Sequence, residues 1–286
     1  YEEEILSDTF EQFTDGVKTF MDKYTYNQFV EAIKSAGFVF RRLIKGRMAI
    51  DFAYMLFIRL RNDKTIDKLK VNHYVQKWYV MSVLTSRYGA SPESQMERDL
   101  RAIKDKGFLR FYDEVMANYG DDYWNVSLPQ TLQTSSSTAP AFCVFLAAQC
   151  KMSEDSFLGN GAKVRDLIDT ADIHHLFPKK YLQKEGIKTT IRYNQVANYA
   201  VLSKPVNIAI GPKPPYEYMK EINDACLNGQ ESKYTTIKTL EDFEANCRLN
   251  CIPSGFKDMT AEDYDRFLEQ RRMLMAQKIK DYFYSL

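Results

Sequence analysis

The sequence predicts a mainly α-helical protein whose helices flank one segment of shorter elements. Apolar residues recur at helical spacing in the first 120 residues, as at Trp78, Met81 and Leu84. Residues 163–225 differ because they contain five of the nine prolines, at Pro178, Pro205, Pro212, Pro214 and Pro215. Proline interrupts helices, so we expect short elements and loops there.

We therefore expect three parts. Residues 1–162 would form a helical domain, and residues 163–225 would form a compact insert. Residues 226–286 would form a C-terminal helical segment that packs on the helical domain.

Capping residues predict several helix boundaries. Ser91-Pro92 is typical of an N-cap followed by proline in the first helical turn. An apolar helix is expected from about Pro140 to Met152, and a long amphipathic helix is expected after the capping pair of Thr260 and Asp263.

An apolar helical face is also predicted near the start of the chain. It is formed by Phe10, Phe13, Val17, Phe20 and Met21. We interpret most aromatic residues of the first 120 residues as core residues, and His73 as a structural residue.

Charge is unevenly distributed along the chain, although its net value is only +1. Residues 163–220 contain ten Lys/Arg against five Asp/Glu, which leaves 29 basic and 33 acidic residues elsewhere. Residues 163–220 thus have a net charge of +5 and the remainder of the chain −4. This concentration of positive charge is compatible with a polyanionic partner.

The remaining composition indicates a soluble protein of the cytoplasm. No apolar run approaches the roughly 20 residues that a membrane-spanning helix requires. Five scattered cysteines are too few for a disulfide framework and are interpreted as buried free thiols. The sequence shows no signal peptide. It begins at Tyr1 rather than at a methionine, which suggests that a preceding part of a longer protein is absent.

Two adjacent histidines carry the most informative pattern, in the string Asp172-Ile173-His174-His175. Side chains alternate between the two faces of an extended segment, so one imidazole can bind a cation while its neighbour meets a water molecule. Histidine suits the role of a base because its ordinary pKa is about 6.5. Downstream, Asn207 offers an amide oxygen, a suitable ligand for a hard divalent cation.

This pattern resembles the HNH nucleases of the His-Me finger superfamily. The similarity covers the run 175–178, which is His-Leu-Phe-Pro, and two asparagines nine positions apart, Asn198 and Asn207. The resemblance implies that His174 and Asn207 bind one metal ion, that His175 is the general base, and that Asn198 braces the loop that orients the base.

The resemblance also implies a ββα-metal element embedded in the helical body. The strand with His174 would pair with a second strand formed by Asn198 and residues 199–202, and Asn207 would begin the helix. Mg²⁺ is the first expectation for the metal. Because His174 stands where many HNH enzymes have Asp or Glu, Mn²⁺, Ni²⁺ or Zn²⁺ are alternatives. The interval from His175 to Asn198 is longer than in the shortest HNH motifs.

Basic residues near the motif are expected to bind the DNA backbone without reading its sequence. They are Lys179, Lys180, Lys184, Arg192 and Lys213. We assign no role to Asn194 or Tyr218.

The chain as a whole resembles the C-terminal part of GmrSD-type, modification-dependent restriction endonucleases. The similar segments are Lys77-Trp78-Tyr79, Arg87-Tyr88, Ser91-Pro92-Glu93, Asp99-Leu100, the run 207–211, Lys213-Pro214-Pro215 and Tyr218. This resemblance implies the nuclease part of an anti-phage system that acts on modified DNA. The N-terminal ParB-like nucleotide-binding domain of such proteins is not visible in the sequence.

Two alternatives stay open at this point. The chain could be a catalytically inactive helical module with an HNH-like fold that binds DNA or protein. The insert could also be a structural element stabilised by Zn²⁺, although His174 and His175 are its only good zinc ligands and the cysteines are distant in sequence.

Overall fold

The computed structural model describes residues 2–169 and 173–286, and the side chains of residues 2–7 and Ile173 lie outside that description. Asp172, which opens the histidine motif, is also outside the described residues. Helices dominate the described chain, so the expectation of a mainly α protein is confirmed. In the described part, no helix is both long and apolar enough to cross a bilayer.

The elements follow one another in a fixed order. The helices of the first part are α1 (Glu2–Phe20), α2 (Lys23–Ser35), α3 (Arg47–Asn62), α4 (Val71–Leu84), α5 (Pro92–Lys106), α6 (Phe108–Met116), α7 (Leu128–Thr131) and α8 (Pro140–Lys151). They are followed by α9 (Val164–Leu167), β1 (Ile173–His175), α10 (Lys179–Lys184), α11 (Thr190–Tyr193), β2 (Tyr199–Val201), α12 (Lys204–Ile210), α13 (Pro215–Leu227), α14 (Leu240–Leu249) and α15 (Tyr264–Ser285).

The capping predictions agree with the helix boundaries. Helix α5 begins at Pro92 directly after Ser91. Helix α8 spans Pro140–Lys151, within one residue of the predicted end. Thr260 and Asp263 form a reciprocal capping box in the short 3₁₀ turn that leads into α15.

The core is one continuous cluster of buried side chains that draws on all three predicted parts. Helix α8 is central, with α4 and α15 packed against it. Trp78 and Tyr79 of α4 are fully buried. The hydroxyl group of Tyr282 in α15 donates to the carbonyl oxygen of Ala36 at 2.6 Å, which ties the C-terminal helix to the loop after α2.

The interpretation of the N-terminal apolar face as core is wrong. Phe10, Phe13 and Met21 are 69%, 67% and 75% exposed. The physical reason is the position of α1, which meets α2 and α3 near its C-terminal end, where the Phe20 ring packs on Tyr54 at 4.9 Å. The apolar periodicity is real, but most of this face has no described surface to pack against.

The insert consists of short elements up to residue 210, as the prolines predict, but its last part belongs to the 13-residue helix α13, which crosses the predicted boundary at residue 225. Strand β1 pairs antiparallel with β2, with Ile173 opposite Val201, His174 opposite Ala200 and His175 opposite Tyr199. Helix α12 follows β2 after two residues, and the short helices α10 and α11 lie between the two strands in sequence.

The start of the second strand differs from the prediction. Asn198 lies in a 3₁₀ turn that ends where β2 begins, and Leu202 follows the strand. The reason is local, because the Asn198 side chain is engaged with a neighbouring loop, as described below.

Candidate active site around His175

The two histidines occupy different environments, as their positions on adjacent residues of β1 require. His174 is buried, with 6% of its surface exposed. His175 is half-buried, and its ring meets the ring of its cross-strand partner Tyr199 edge-on at 5.2 Å. The strand pair thus presents one imidazole to each side of the two-stranded sheet.

Asn194 orients the His175 ring. The Nε2 atom of His175 lies 2.8 Å from the Oδ1 atom of Asn194, at the C-terminal end of α11. An amide oxygen can only accept a hydrogen bond, so Nε2 carries the proton and donates it. In the neutral imidazole the lone pair is then on Nδ1, which can take up a proton.

The surroundings of His175 favour its neutral form. Burial lowers the pKa of its imidazole below the usual 6.5, and the charge of Lys179 lowers that pKa further, whereas the hydrogen bond to Asn194 raises it. Burial is the largest of these causes. His175 is therefore predominantly unprotonated at pH 7, the state that a general base requires.

Asn198 fixes the loop that follows His175. This asparagine is completely buried. Its Oδ1 accepts from the backbone amide of Phe177 at 2.8 Å, and its Nδ2 donates to the carbonyl oxygens of Phe177 and Tyr193 at 3.1 and 3.2 Å. One side chain therefore holds the loop after β1 and the end of α11 together.

The backbone of the same loop is held at every polar atom. Leu176 donates to the carbonyl oxygen of Asn198 at 2.8 Å. The carbonyl oxygen of Leu176 accepts from the hydroxyl group of Tyr218, a fully buried residue of α13, at 2.9 Å. Both amides and both carbonyls of residues 176–177 are thus hydrogen-bonded, which restricts the position of His175 directly before them.

Arg271 of α15 supports this arrangement from the core. Its guanidinium group is 1% exposed, and burial lowers its pKa to about 10. It donates to the carbonyl oxygens of Ala197 and Tyr199 at 2.8 and 2.6 Å, and to that of Asn250 at 3.2 Å. The first two carbonyls flank Asn198. Among the described residues, Arg271 forms no ion pair, so these backbone dipoles compensate its charge.

Asn207 lies in the first turn of α12, where its amide nitrogen donates to Ser203. The residue is half-buried, and within the described chain its side-chain amide makes no hydrogen bond. Its oxygen is therefore available to a ligand. Residues 2–169 and 173–286 contain no group of three His, Cys, Asp or Glu side chains with metal-binding geometry.

The five predicted phosphate-binding residues fall into two sets. Lys179, Lys180 and Lys184 are exposed on α10, and the Lys179 ammonium lies 5.0 Å from the centre of the Tyr193 ring. One guanidinium nitrogen of Arg192 donates to both carboxylate oxygens of Asp265, at 2.8 and 3.0 Å.

Lys213, like Arg192, is paired with an acidic residue of the protein. It pairs with Glu221 and donates to the hydroxyl group of Tyr234 at 3.0 Å. The charges of Arg192 and Lys213 are largely compensated within the protein, whereas the three lysines of α10 face solvent.

Sequence reasoning misses the roles of three residues. It assigns none to Asn194 or Tyr218, although both lie in the region with the motif and touch His175 or the loop after it. The local sequences, Tyr193-Asn194-Gln195 and Glu217-Tyr218-Met219, give no signal for these contacts. Arg271 gives none, because an arginine in an amphipathic helix is usually exposed.

Comparisons with known proteins give few constraints. No family model matches the chain. No solved structure matches it either. The chain is 26% identical, over 219 residues, to an uncharacterised protein of Methanocaldococcus jannaschii; the alignment covers 72% of this chain and 36% of that protein. The matched segment is thus about a third of its relative's length.

Proposed function

We propose that this chain is an HNH-type, metal-dependent endonuclease that hydrolyses phosphodiester bonds in DNA. The observation that carries the proposal is the fixing of His175. Asn194 defines which ring nitrogen is free, and Asn198 and Tyr218 hold the loop that follows. A firmly held, neutral imidazole is what general-base catalysis needs.

The chemistry assigned to His175 is proton transfer. Its Nδ1 takes a proton from a water molecule as the water oxygen forms a bond to phosphorus. The bond from phosphorus to the 3′ oxygen breaks, and the leaving oxygen takes a proton from solvent. The products are a 5′ phosphate and a 3′ hydroxyl group. His175 returns its proton to solvent before the next turnover.

His174 and Asn207 would hold a single divalent ion, with Mg²⁺ as the first expectation and Mn²⁺, Ni²⁺ or Zn²⁺ as alternatives. When bound, the ion would offset the negative charge that builds on the phosphate oxygens and the leaving oxygen. Asn198 contributes only by positioning, because its three hydrogen bonds to the backbone use its amide.

Lys179, Lys180 and Lys184 would hold the DNA backbone by charge, since they are exposed on α10, which begins four residues after His175. Arg192 and Lys213 would contribute less, because Asp265 and Glu221 already neutralise them. Contacts of this kind position the substrate and carry no sequence information.

The biological setting is proposed from the resemblance to GmrSD-type enzymes. The chain would be the nuclease part of a modification-dependent restriction system, working with an N-terminal ParB-like nucleotide-binding domain. The match to about a third of a longer archaeal protein supports a role as one part of a larger chain. A cytoplasmic location is supported by the five cysteines, all of which are free.

Plasmid nicking tests the proposal. The 286-residue chain is incubated with supercoiled DNA and Mg²⁺ or Mn²⁺, and compared with His175→Ala and with His73→Ala. His73 is the control because its Nδ1 contacts the carbonyl oxygen of Leu286, in another part of the protein, at 2.6 Å. We expect His175→Ala to lose about 10²- to 10⁴-fold in rate and His73→Ala to keep its rate.

Two outcomes would contradict the proposal. Equal cleavage by His175→Ala and the unmodified chain would exclude His175 as the base. Salt-sensitive DNA binding without cleavage in any divalent metal would instead favour the inactive DNA-binding module.

A further inference from the structure

A group of unpaired cations lies near α8, on the helical body and at the start of the insert. We name it the α8 basic patch, and it consists of Arg41, Arg42, Lys45, Lys151 and Arg165. Arg41, Arg42 and Arg165 are exposed, and the two lysines are half-buried. Among the described residues, none of the five side chains forms an ion pair or hydrogen bond. Many other surface cations are paired, such as Arg101 with Glu97.

The loop that carries three of these cations is anchored by buried side chains. The hydroxyl group of Tyr79 accepts from the amide of Lys45 at 3.1 Å and donates to its carbonyl oxygen at 2.9 Å. The thiol of Cys143 in α8 lies 3.9 Å from the carbonyl oxygen of Arg42. These buried contacts fix the backbone of the loop. Less conformational entropy is therefore lost when the loop binds a ligand.

The cations from distant parts of the sequence lie close together. Helix α9, which contains Arg165, packs on α8, as does the 3₁₀ turn Arg41–Leu43. Burial raises the pKa of the Cys150 thiol to about 12, and the charges of Arg165 and Arg42 both oppose that rise. Both guanidinium groups therefore lie near the same point at the end of α8, where Lys151 follows directly.

Acidic residues also lie at the edge of the patch. Asp166 and Glu31 line one cleft with Lys151 and Arg165, and Glu31 pairs with Lys34 there. Asp51 forms a 3.9 Å contact with Arg47, whose side chain is 91% exposed. The cations of the patch exceed these carboxylates, and an unpaired positive surface of this kind favours a polyanion.

The patch is connected to the candidate site through α8. Phe142, the residue before Cys143, packs its ring against Tyr199 at 6.1 Å. Tyr199 in turn meets the His175 ring at 5.2 Å. Two aromatic contacts in the core thus link the anchored loop to the candidate base.

We propose that the α8 basic patch is a second contact surface for the backbone of double-stranded DNA, separate from the lysines of α10. The inference rests on the proposed function, because it extends the path of the same substrate beyond the insert. A polyanion fits the patch, since it presents five cations that are unpaired among the described residues. The patch would contribute affinity and not sequence preference.

The test measures binding of a short fluorescent DNA duplex by anisotropy, in EDTA so that cleavage is excluded. The variant Arg41→Gln/Arg42→Gln/Arg165→Gln removes three charges and is compared with Arg98→Gln/Arg101→Gln/Arg110→Gln. The control arginines are each bonded to another side chain, at Gln95, Glu97 and Glu114. Thermal unfolding of both triple variants checks that the fold is retained.

We expect the patch variant to bind on the order of tenfold more weakly at low salt. The slope of log affinity against log salt should fall by about 0.9 for each phosphate group that the variant no longer neutralises. The control variant should keep the slope. An unchanged slope in the patch variant would overturn the inference, as would equal displacement of the duplex by polyglutamate or binding only to anionic vesicles.

The two proposals can fail separately. A chain that cuts DNA but shows no effect of the patch substitutions would retain the nuclease and lose the second surface. If binding depends on the patch but no divalent metal supports cleavage, the second surface is retained and the nuclease proposal fails.

Discussion

The Asn198 side chain forms two hydrogen bonds with the backbone of Phe177, accepting from its amide at 2.8 Å and donating to its carbonyl oxygen at 3.1 Å. Because Phe177 is two residues after His175, this contact fixes the direction in which the chain leaves β1. The pairing joins the two halves of the insert across 21 residues of sequence. It is the structural basis for the predictions about stability and catalysis that follow.

Removing the Asn198 amide should destabilise the protein strongly. Asn198→Ala leaves the buried amide and carbonyl oxygen of Phe177 without their partners, whereas the carbonyl oxygen of Tyr193 keeps the Tyr264 hydroxyl group. We expect a decrease of about 3 kcal/mol in the free energy of unfolding. Urea denaturation measures it. Asn228→Ala is the matched control, because that exposed amide bonds only to Asp224 of its own helix, and a change within about 0.5 kcal/mol is expected. Equal decreases in the two variants would contradict this account.

Substitution of Arg271 or of its neighbour Arg272 in α15 should reduce stability by different amounts. Arg271→Ala deprives three buried carbonyl oxygens of a charged donor and should cost about 3 kcal/mol. Arg272 is half-buried and, in the described chain, makes no hydrogen bond, so Arg272→Ala should change stability by less than about 1 kcal/mol. Thermal and urea unfolding of both variants test the difference, and a larger decrease at Arg272 would refute it.

The pKa of His175 should lie below 6.5 in the metal-free chain, because burial and Lys179 both lower it. Histidine NMR resonances followed against pH measure the value, and His175→Gln identifies the signal. Lys179→Gln should raise this pKa by removing a nearby positive charge. A His175 pKa above 6.5 in the unmodified chain would contradict the burial described here.

The lowered pKa of His175 also makes the stability of the protein depend on pH. Below pH 6.5 the unfolded chain binds a proton at His175 more readily than the folded chain does, so the free energy of unfolding falls as pH decreases toward the folded-state pKa. Above pH 6.5 both states are neutral and this contribution is complete. His175→Gln should reduce the slope of stability against pH in the acidic window, which urea denaturation at several pH values measures.

The apolar face of α1 should contribute little to folding stability. Phe13 is 67% exposed, and Phe13→Ala should change the free energy of unfolding by no more than about 0.5 kcal/mol. Phe142, 1% exposed in α8, is the contrast, with an expected decrease of about 3–5 kcal/mol on substitution by alanine. A decrease at Phe13 comparable with that at Phe142 would show that the α1 face is buried in solution.

Local signals in the sequence predict much of the fold. The proline-rich composition predicts short elements in the insert, and Thr260 with Asp263 predicts the start of the long C-terminal helix, because both effects act within a few residues. The position of α1 is not predictable in this way. Periodicity shows that Phe10 and Phe13 share a face, but only tertiary packing decides whether another element covers that face.

The candidate site is predictable to a smaller extent. The spacing of His174, His175, Asn198 and Asn207 suggests a shared role, and the structure shows Asn198 bracing the loop after His175. Asn194 and Arg271 depend on contacts between segments that are 19 and more than 70 residues apart. Such contacts leave no local periodicity, so sequence reasoning assigns them no role.

The most direct test of the central claim is the single-turnover cleavage rate of His175→Ala, measured with and without added imidazole. If the His175 imidazole is the base, the variant should cut about 10²- to 10⁴-fold more slowly than the unmodified chain, and free imidazole should restore part of the rate as its neutral fraction increases with pH. Cleavage by His175→Ala at the unmodified rate, with no response to imidazole, would contradict the account.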